Sequence, residues 1–293
     1  MPQDNVRTMQ YTRPMHEPSF VREHAVVSDA SAAQRDTTRH CKICAGPVTP
    51  RHKNQGIIYW HCGACDFLQN FYWEDHAHSP TLHTSVNEEI REHRWPEGDP
   101  VDMRAKGWEM LELMSSPIAW GSRQAHEALS KIFLYRQWSH ARARRQFHRL
   151  MDFGCGHGTI VSELRKEGFD AIGLDPFSPT ESPHILRIPL LESGLPAGTF
   201  DGIFSIETHE HITNVIETFQ ALSDLLRPGG VLLVQTRRLE DPDYQNDGGS
   251  WFYLREPEAH VSIYSETAMR RIAENTGFRR VSFRSVKFAR FEK

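Results

Sequence analysis

Four of the five cysteines fall within residues 41–65 and read C-x2-C, seventeen residues, C-x2-C, as "CKIC" and "HCGAC". A C-x-x-C turn lets two sulfurs face one ion. A second turn at this separation folds back to complete a four-thiolate zinc site from Cys41, Cys44, Cys62 and Cys65. A pair of disulfides is the alternative, and a reducing compartment disfavours it. Four thiolates leave no open coordination position, so such an ion holds together a segment too small to build a core of its own. His61, next to Cys62, has poorer ligand spacing and reads as a surface residue.

A second stretch, "LMDFGCGHGTI" at 150–160, puts three glycines directly after a short apolar run. Gly154, Gly156 and Gly158 let the chain turn sharply out of a strand and leave its backbone bare, so that a ligand can lie against it. Cys155 sits inside this loop and reads as a small packing residue. Asp152 precedes the glycines, and Asp175 follows 23 positions later in "GLDP", just before Pro176. A carboxylate at the end of a second strand is placed to accept hydrogen bonds from ribose hydroxyls. A G-x-G-x-G alone also fits dinucleotide binders, and Asp175 read by itself also fits a loop cap. Two further stretches hold titratable groups: "IETHEHI", with Glu207, His209, Glu210 and His211, and "WFYLREPEAHVSIY", with Trp251, Tyr253, His260 and Tyr264.

The elements that must position these groups follow from the hydrophobic rhythm. From residue 149 onward, short apolar strands alternate with helical segments: "RLMDFG", "TIVSELRKEG", "DAIGLDP", "HILRIPL", "FDGIFSI", "VIETFQALSDLLRPGG" and "VLLVQT". Strands separated by helices indicate a parallel sheet with crossover connections, a doubly wound α/β domain over 149–293. The tail adds a helix, "SETAMRRIAENTGF", and a strand-like terminus. Ahead of this lie a polar arm over 1–39, the zinc module over 40–75 with the strand "GIIYWHC", and a helical connector over 76–148 after a His-rich lead-in. In the connector, Ala125, Leu129, Ile132, Phe133 and Trp138 share one helical face, and the basic run "HARARRQFHR" continues that helix as a solvated end.

Bulk properties narrow the function classes. A net charge of −4, from 34 basic and 38 acidic residues, is a poor match for a protein that grips phosphate backbones. No 18-residue apolar stretch and no apolar leader are present, so the chain reads as cytoplasmic, without a membrane span. The 39% hydrophobic content permits a full core.

In order and spacing, "LMDFGCGHGTIVSELRKEGFDAIGLDP", "FDGIFSIETHEHI" and "LLRPGGVLLVQT" resemble the successive motifs of class I S-adenosylmethionine-dependent methyltransferases, over about residues 150–285. The resemblance implies a Rossmann-like sheet with Asp152 and Gly154 to Gly158 lining the methionine part of the cofactor. It also implies that Asp175 and Pro176 lie at the ribose and that the segment after the third strand frames the adenine. Relatives often carry an acidic residue there. Here "RIPLLESGLP" offers Glu192 as a stand-in. The four-cysteine opening and the Trp/Tyr…His segment are similar to methyltransferases of bacterial glycan and natural-product pathways.

Methyl transfer is a displacement at a sulfonium carbon, so the protein must align an acceptor lone pair and, where needed, remove its proton. His209 and His260 are base candidates because an unperturbed imidazole titrates near working pH; Glu207 stands beside the same strand end, within reach of cofactor and acceptor. The E-x-x-E-H pattern of Glu207, Glu210 and His211 is similar to that of ubiquinone-biosynthesis O-methyltransferases, which implies a magnesium ion held there. The function expected is methylation, most simply O-methylation, of a small-molecule acceptor such as a glycan precursor or secondary metabolite. The alternatives are an RNA methyltransferase gripping RNA with its zinc module and arginines, and a non-catalytic cofactor- or zinc-binding scaffold. Oligomeric state is not legible.

Overall fold

The computed structural model describes residues 39–76, 99–120, 123–131 and 133–293. The arm expected before Arg39, and the His-rich lead-in from residue 77, lie outside them. The first elements are a hairpin, β1 (Thr49–Asn54) and β2 (Ile57–Cys62), and then β3 (Phe67–Gln69). The hairpin is joined by Gln55 and Gly56, both at positive φ (48° and 86°), the mirror-image turn whose twist suits paired strands. Helix α1 (Tyr72–His76) follows. Helix α2 (Pro100–Ser115) starts behind an Asp99 side chain that accepts from the Val101 N–H.

The connector is not one helix. It divides into α3 (Arg123–Ser130) and α4 (Phe133–Gln146), with a turn at Lys131. The side chains of Ala125 and Phe133, expected on the shared apolar face, lie outside what is described. Leu129 is half-buried, Trp138 is exposed, and Ile132 lies outside the described residues. Nor is the basic run merely solvated. Arg142 donates to the Ser115 carbonyl, and Arg144 lies over Trp108 and Phe169 while pairing with Glu167.

From β4 (Arg149–Phe153) the expected alternation appears: α5 (Thr159–Lys166), β5 (Asp170–Leu174), β6 (Ile185–Leu186), β7 (Phe200–Ile206), α6 (Val215–Leu225) and β8 (Leu226–Gln235). After α7 (Pro242–Asp247) and β9 (Ser262–Ile263) come α8 (Glu266–Asn275), β10 (Arg280–Arg284) and β11 (Phe288–Glu292). The large sheet has the order β10-β11-β8-β7-β4-β5-β6 and is parallel from β8 to β6; β11 runs antiparallel to both its neighbours. It is a Rossmann-like, doubly wound sheet.

Successive strand residues point to opposite faces, and both faces are covered. Met151, Ile203, Leu232 and Val234 pack against α6 and α8, whereas Leu150, Phe204, Val231 and Leu233 pack against α2, α4 and α5. Strand order reverses at β4, whose neighbours β7 and β5 lead in opposite directions. The carboxyl ends of these strands are where ligands of such sheets bind.

The cysteine segment is not an appendage with its own edge. Its sheet, β1-β2-β3-β9, borrows its last strand from residues 262–263. Cys62, Cys65 and Phe67 share a core with Tyr264, Met269 and Ile272 of the C-terminal part, and Ser265, which caps α8, donates to the Cys65 carbonyl.

Candidate active site

The glycine loop leaves β4 at Gly154 (φ +78°), whose N–H bonds the Leu174 carbonyl. A Cβ here would lie 2.2 Å from Thr208 Oγ1, so only glycine lets the loop touch the segment that follows β7. Gly158 (φ +70°) is excluded from carrying a side chain by Ile185 in the same way, at 2.3 Å. Gly156 differs: a Cβ there meets nothing within 4 Å, so its bare backbone borders open space. Cys155 packs its sulfur over Gly173 of β5, in the space a Cβ would need. It is a packing residue.

Asp175, just past β5, accepts from the Gly156 N–H at 2.8 Å through one oxygen and from the Phe177 N–H at 2.8 Å through the other. The Ser178 N–H also stabilises this carboxylate, which keeps acceptor capacity for a further donor. Pro176 lies half-buried in the turn that follows. Asp152 is buried at the end of β4, and burial, followed by the charge of Asp175, pushes its carboxyl up to about 8. Asp152 and Asp175 interact electrostatically, so a cationic ligand bearing hydroxyls would favour the ionised form of a carboxyl that burial otherwise keeps protonated.

Glu192, expected near the adenine, follows β6. It is exposed on a short 3-10 turn (Leu190–Glu192) after β6, and only Leu190 of that turn enters the core.

His209 is also corrected. It is fully buried, with ring centroids 5.7 Å from Phe153 and 4.6 Å from Phe219, and neither ring nitrogen meets a partner among the described residues. Burial holds its pKa down at about 3. The 3-10 turn His209–His211 rotates it inward while Glu210 and His211 project elsewhere. It is a core histidine and supplies no base.

The remaining groups converge beyond β7 and β8. Glu207 takes up φ +48°, a conformation that costs a non-glycine residue on the order of 1–3 kcal/mol. Its carboxylate accepts from Gln235 at 3.3 Å and lies 3.1 Å from the Tyr253 hydroxyl. The same hydroxyl lies 2.5 Å from Glu210 Oε1, and Thr236 donates to Glu210 Oε2 at 2.9 Å. Burial first, then the charge of Glu207, raises Glu210 to about 7. His260 donates from Nδ1 to the Tyr253 carbonyl at 2.6 Å, and His211 from Nδ1 to the Ala259 carbonyl at 2.9 Å, since a carbonyl can only accept. Burial keeps both imidazoles below their usual pKa. Sequence reasoning named Glu207, Glu210, His211 and His260 but missed Thr236, at the end of "VLLVQT", and the joining role of Tyr253.

The N-terminal module fixes this cluster. Tyr59 donates to the His260 carbonyl at 2.7 Å, Asn70 Nδ2 donates to the Pro257 carbonyl at 2.7 Å, and the Asn70 N–H bonds the Val261 carbonyl. The Val261 N–H in turn bonds the Glu210 carbonyl.

The four cysteine ligand atoms lie within 4.8 Å of one another, with Cys44 and Cys62 sulfurs 3.7 Å apart and no disulfide. Thiolates around a tetrahedral zinc at about 2.3 Å stand roughly 3.8 Å apart. The cluster is compatible with a structural zinc ion. His61 is engaged elsewhere, 2.8 Å from Asp66.

A family model described as "Methyltransferase domain" matches residues 120–282, more than half of the chain. The chain belongs to this methyltransferase family. The family uses S-adenosylmethionine. Among curated proteins, this methyltransferase is 29% identical over 103 residues to the ubiquinone biosynthesis O-methyltransferase of Colwellia psychrerythraea, covering 30% of this chain and 41% of that protein. It is 28% identical over 159 residues to the tRNA U34 carboxymethyltransferase of Pseudoalteromonas translucida, covering 46% of each. The chain thus spans less than half the length of these relatives. Similar solved structures include an S-adenosylmethionine-dependent methyltransferase from Archaeoglobus fulgidus (22% identity, 50% of this chain, 70% of that one, TM-score 0.39). Another is from Mesorhizobium loti (15%, 50%, 90%, TM-score 0.40). No described helix is long and apolar enough to cross a membrane.

Proposed function

We propose that this methyltransferase O-methylates a hydroxylated small molecule. The observation carrying the reading is the recess formed by the bare Gly156 backbone, Asp152 and Asp175, adjoining the Glu207 cluster through the Gly154–Thr208 contact. S-adenosylmethionine, when bound, supplies an electrophilic methyl carbon and carries both the positive charge and the ribose hydroxyls that such a recess suits. In this reading Asp175 accepts from the ribose, Asp152 faces the cationic methionine portion, and Gly154 to Gly158 lie along it. Pro176 and the turn after β5 border the nucleoside. We assign Glu207 to take the acceptor proton: it stands at the end of β7 next to the glycine loop, Gln235 donates to its carboxylate, and the Tyr253 hydroxyl packs 3.1 Å away. His260 and Tyr253 line the acceptor side, and Cys41, Cys44, Cys62 and Cys65 hold a structural zinc ion that keeps His260 in position.

RNA as the acceptor is the second reading, and the similarity to a tRNA-modifying enzyme raises it. The arginines that would grip RNA are largely engaged internally, at Ser115, Glu167 and Asp170, and the net charge is negative. Calorimetry with S-adenosylmethionine, followed by mass spectrometry of phenolic and polyol mixtures incubated with enzyme and cofactor, tests the proposal. Tight cofactor binding with a methylated hydroxyl compound supports it. Methylation of transfer RNA alone would replace it with the second reading, and absence of cofactor binding would leave only a scaffold.

A further inference from the structure

The pattern shared with ubiquinone-biosynthesis enzymes implies magnesium on Glu207, Glu210 and His211, but the structure gathers a different trio. Among the described residues, ligand atoms of Glu210, His211 and His260 lie within 4.8 Å of one another, and Glu207 is not in this group. The donor set is two imidazoles and one carboxylate. Magnesium favours oxygen ligands in octahedral array, and nitrogen-rich sites favour zinc, cobalt or ferrous ions. The magnesium expectation does not fit.

We infer that Glu210, His211 and His260 form a site for a borderline divalent ion such as zinc, with coordination positions left open toward a hydroxylated acceptor. Each imidazole has its Nδ1–H fixed on a backbone carbonyl, Ala259 for His211 and Tyr253 for His260, which leaves the lone pair on Nε2. This is the outer arrangement by which proteins orient histidine ligands. The two rings stand 5.0 Å apart. Both oxygens of the buried Glu210 are held, one by Tyr253 and one by Thr236, so the carboxylate is oriented before any ion arrives. His211 is exposed and His260 half-buried, which leaves one side of the trio accessible. Three protein ligands with an open side is the composition of zinc sites that handle a ligand, in contrast to the closed four-cysteine cluster. The existence of the site rests on these residues alone; only its acceptor role rests on the function proposed above.

The test is cobalt(II) titration of the full chain with its cysteine site already filled with zinc. The wild-type protein is expected to take up one cobalt equivalent, giving visible ligand-field bands without thiolate charge transfer, and millimolar magnesium should not displace it. His211→Ala and His260→Ala should each lose that equivalent, and Glu207→Gln should keep it. Tyr253→Phe, which removes an outer partner, should weaken it by roughly 10–100-fold. Because His211 is exposed, its variant should stay folded, and S-adenosylmethionine calorimetry on the same samples checks this and reports on the cofactor reading separately. Absence of uptake beyond the cysteine site, displacement by magnesium, or retention in both histidine variants would overturn the inference.

Discussion

The proposed cofactor recess and the proposed acceptor cluster adjoin through the Gly154–Thr208 contact yet are built in opposite ways. Asp152, the glycines and Asp175 come from one stretch of about thirty residues, a strand–loop–helix–strand unit whose strands pair directly. The acceptor cluster draws Glu207 and Glu210 from the end of β7, Thr236 from the end of β8, and Tyr253 and His260 from a loop held down by Tyr59 and Asn70. Local sequence can produce the first. The second exists only when the cysteine module is folded and docked. The two regions should therefore fail independently.

The largest separation is expected from Cys62→Ser. Losing a structural ion removes a folding contribution of several kcal/mol, so the variant should lose one zinc equivalent, melt earlier and turn over at least a hundredfold more slowly. Its affinity for S-adenosylmethionine should stay within a few-fold of wild type. Metal analysis and calorimetry check both halves, and a parallel fall in affinity would mean the two regions are not separable.

Asp175→Ala makes the opposite cut. Loss of charged hydrogen bonds should weaken cofactor binding by about 1–3 kcal/mol, roughly tenfold to a hundredfold, with turnover at saturating cofactor little changed. Unaltered affinity would place the ribose elsewhere. Asn70→Ala should cost about 1–2 kcal/mol of stability by orphaning the Pro257 carbonyl, and should lower turnover about tenfold with cofactor affinity intact. Steady-state kinetics with calorimetry on the same preparation distinguishes these patterns.

The smallest effect concerns protons. In the free protein Asp152 is held at about 8, whereas an unfolded aspartate ionises near pH 4. Between these values the fold binds a proton that the unfolded chain has released, so the Asp152 contribution to stability falls as pH rises from about 4 to about 8. A cationic ligand should draw that proton off. Calorimetry near pH 7 in buffers of different ionisation heat should show fractional proton release on S-adenosylmethionine binding, and Asp152→Asn should remove it.

What was legible beforehand follows the same division. Turn glycines, period-two strands and paired C-x-x-C knuckles are short-range signals, each set by a residue's own backbone preference or by neighbours a few positions away. They announced the sheet, the recess and the cysteine cluster. The single connector helix failed because a turn at Lys131 interrupts a run whose periodicity continues across it. His209 and His211, two positions apart and chemically identical in the sequence, were separated by a 3-10 turn that buries the former against Phe219 and exposes the latter.

The amino-acid sequence by itself determined the order of strands and helices, the bare-backbone bend and the ligand types available. Only tertiary structure decided that His260, rather than Glu207, joins Glu210 and His211, and that an N-terminal cysteine module grips the loop carrying it. The physical reason is range. A hydrogen bond between Tyr59 and residue 260 spans some two hundred positions of chain, and no pattern within either segment encodes it until the intervening core has closed.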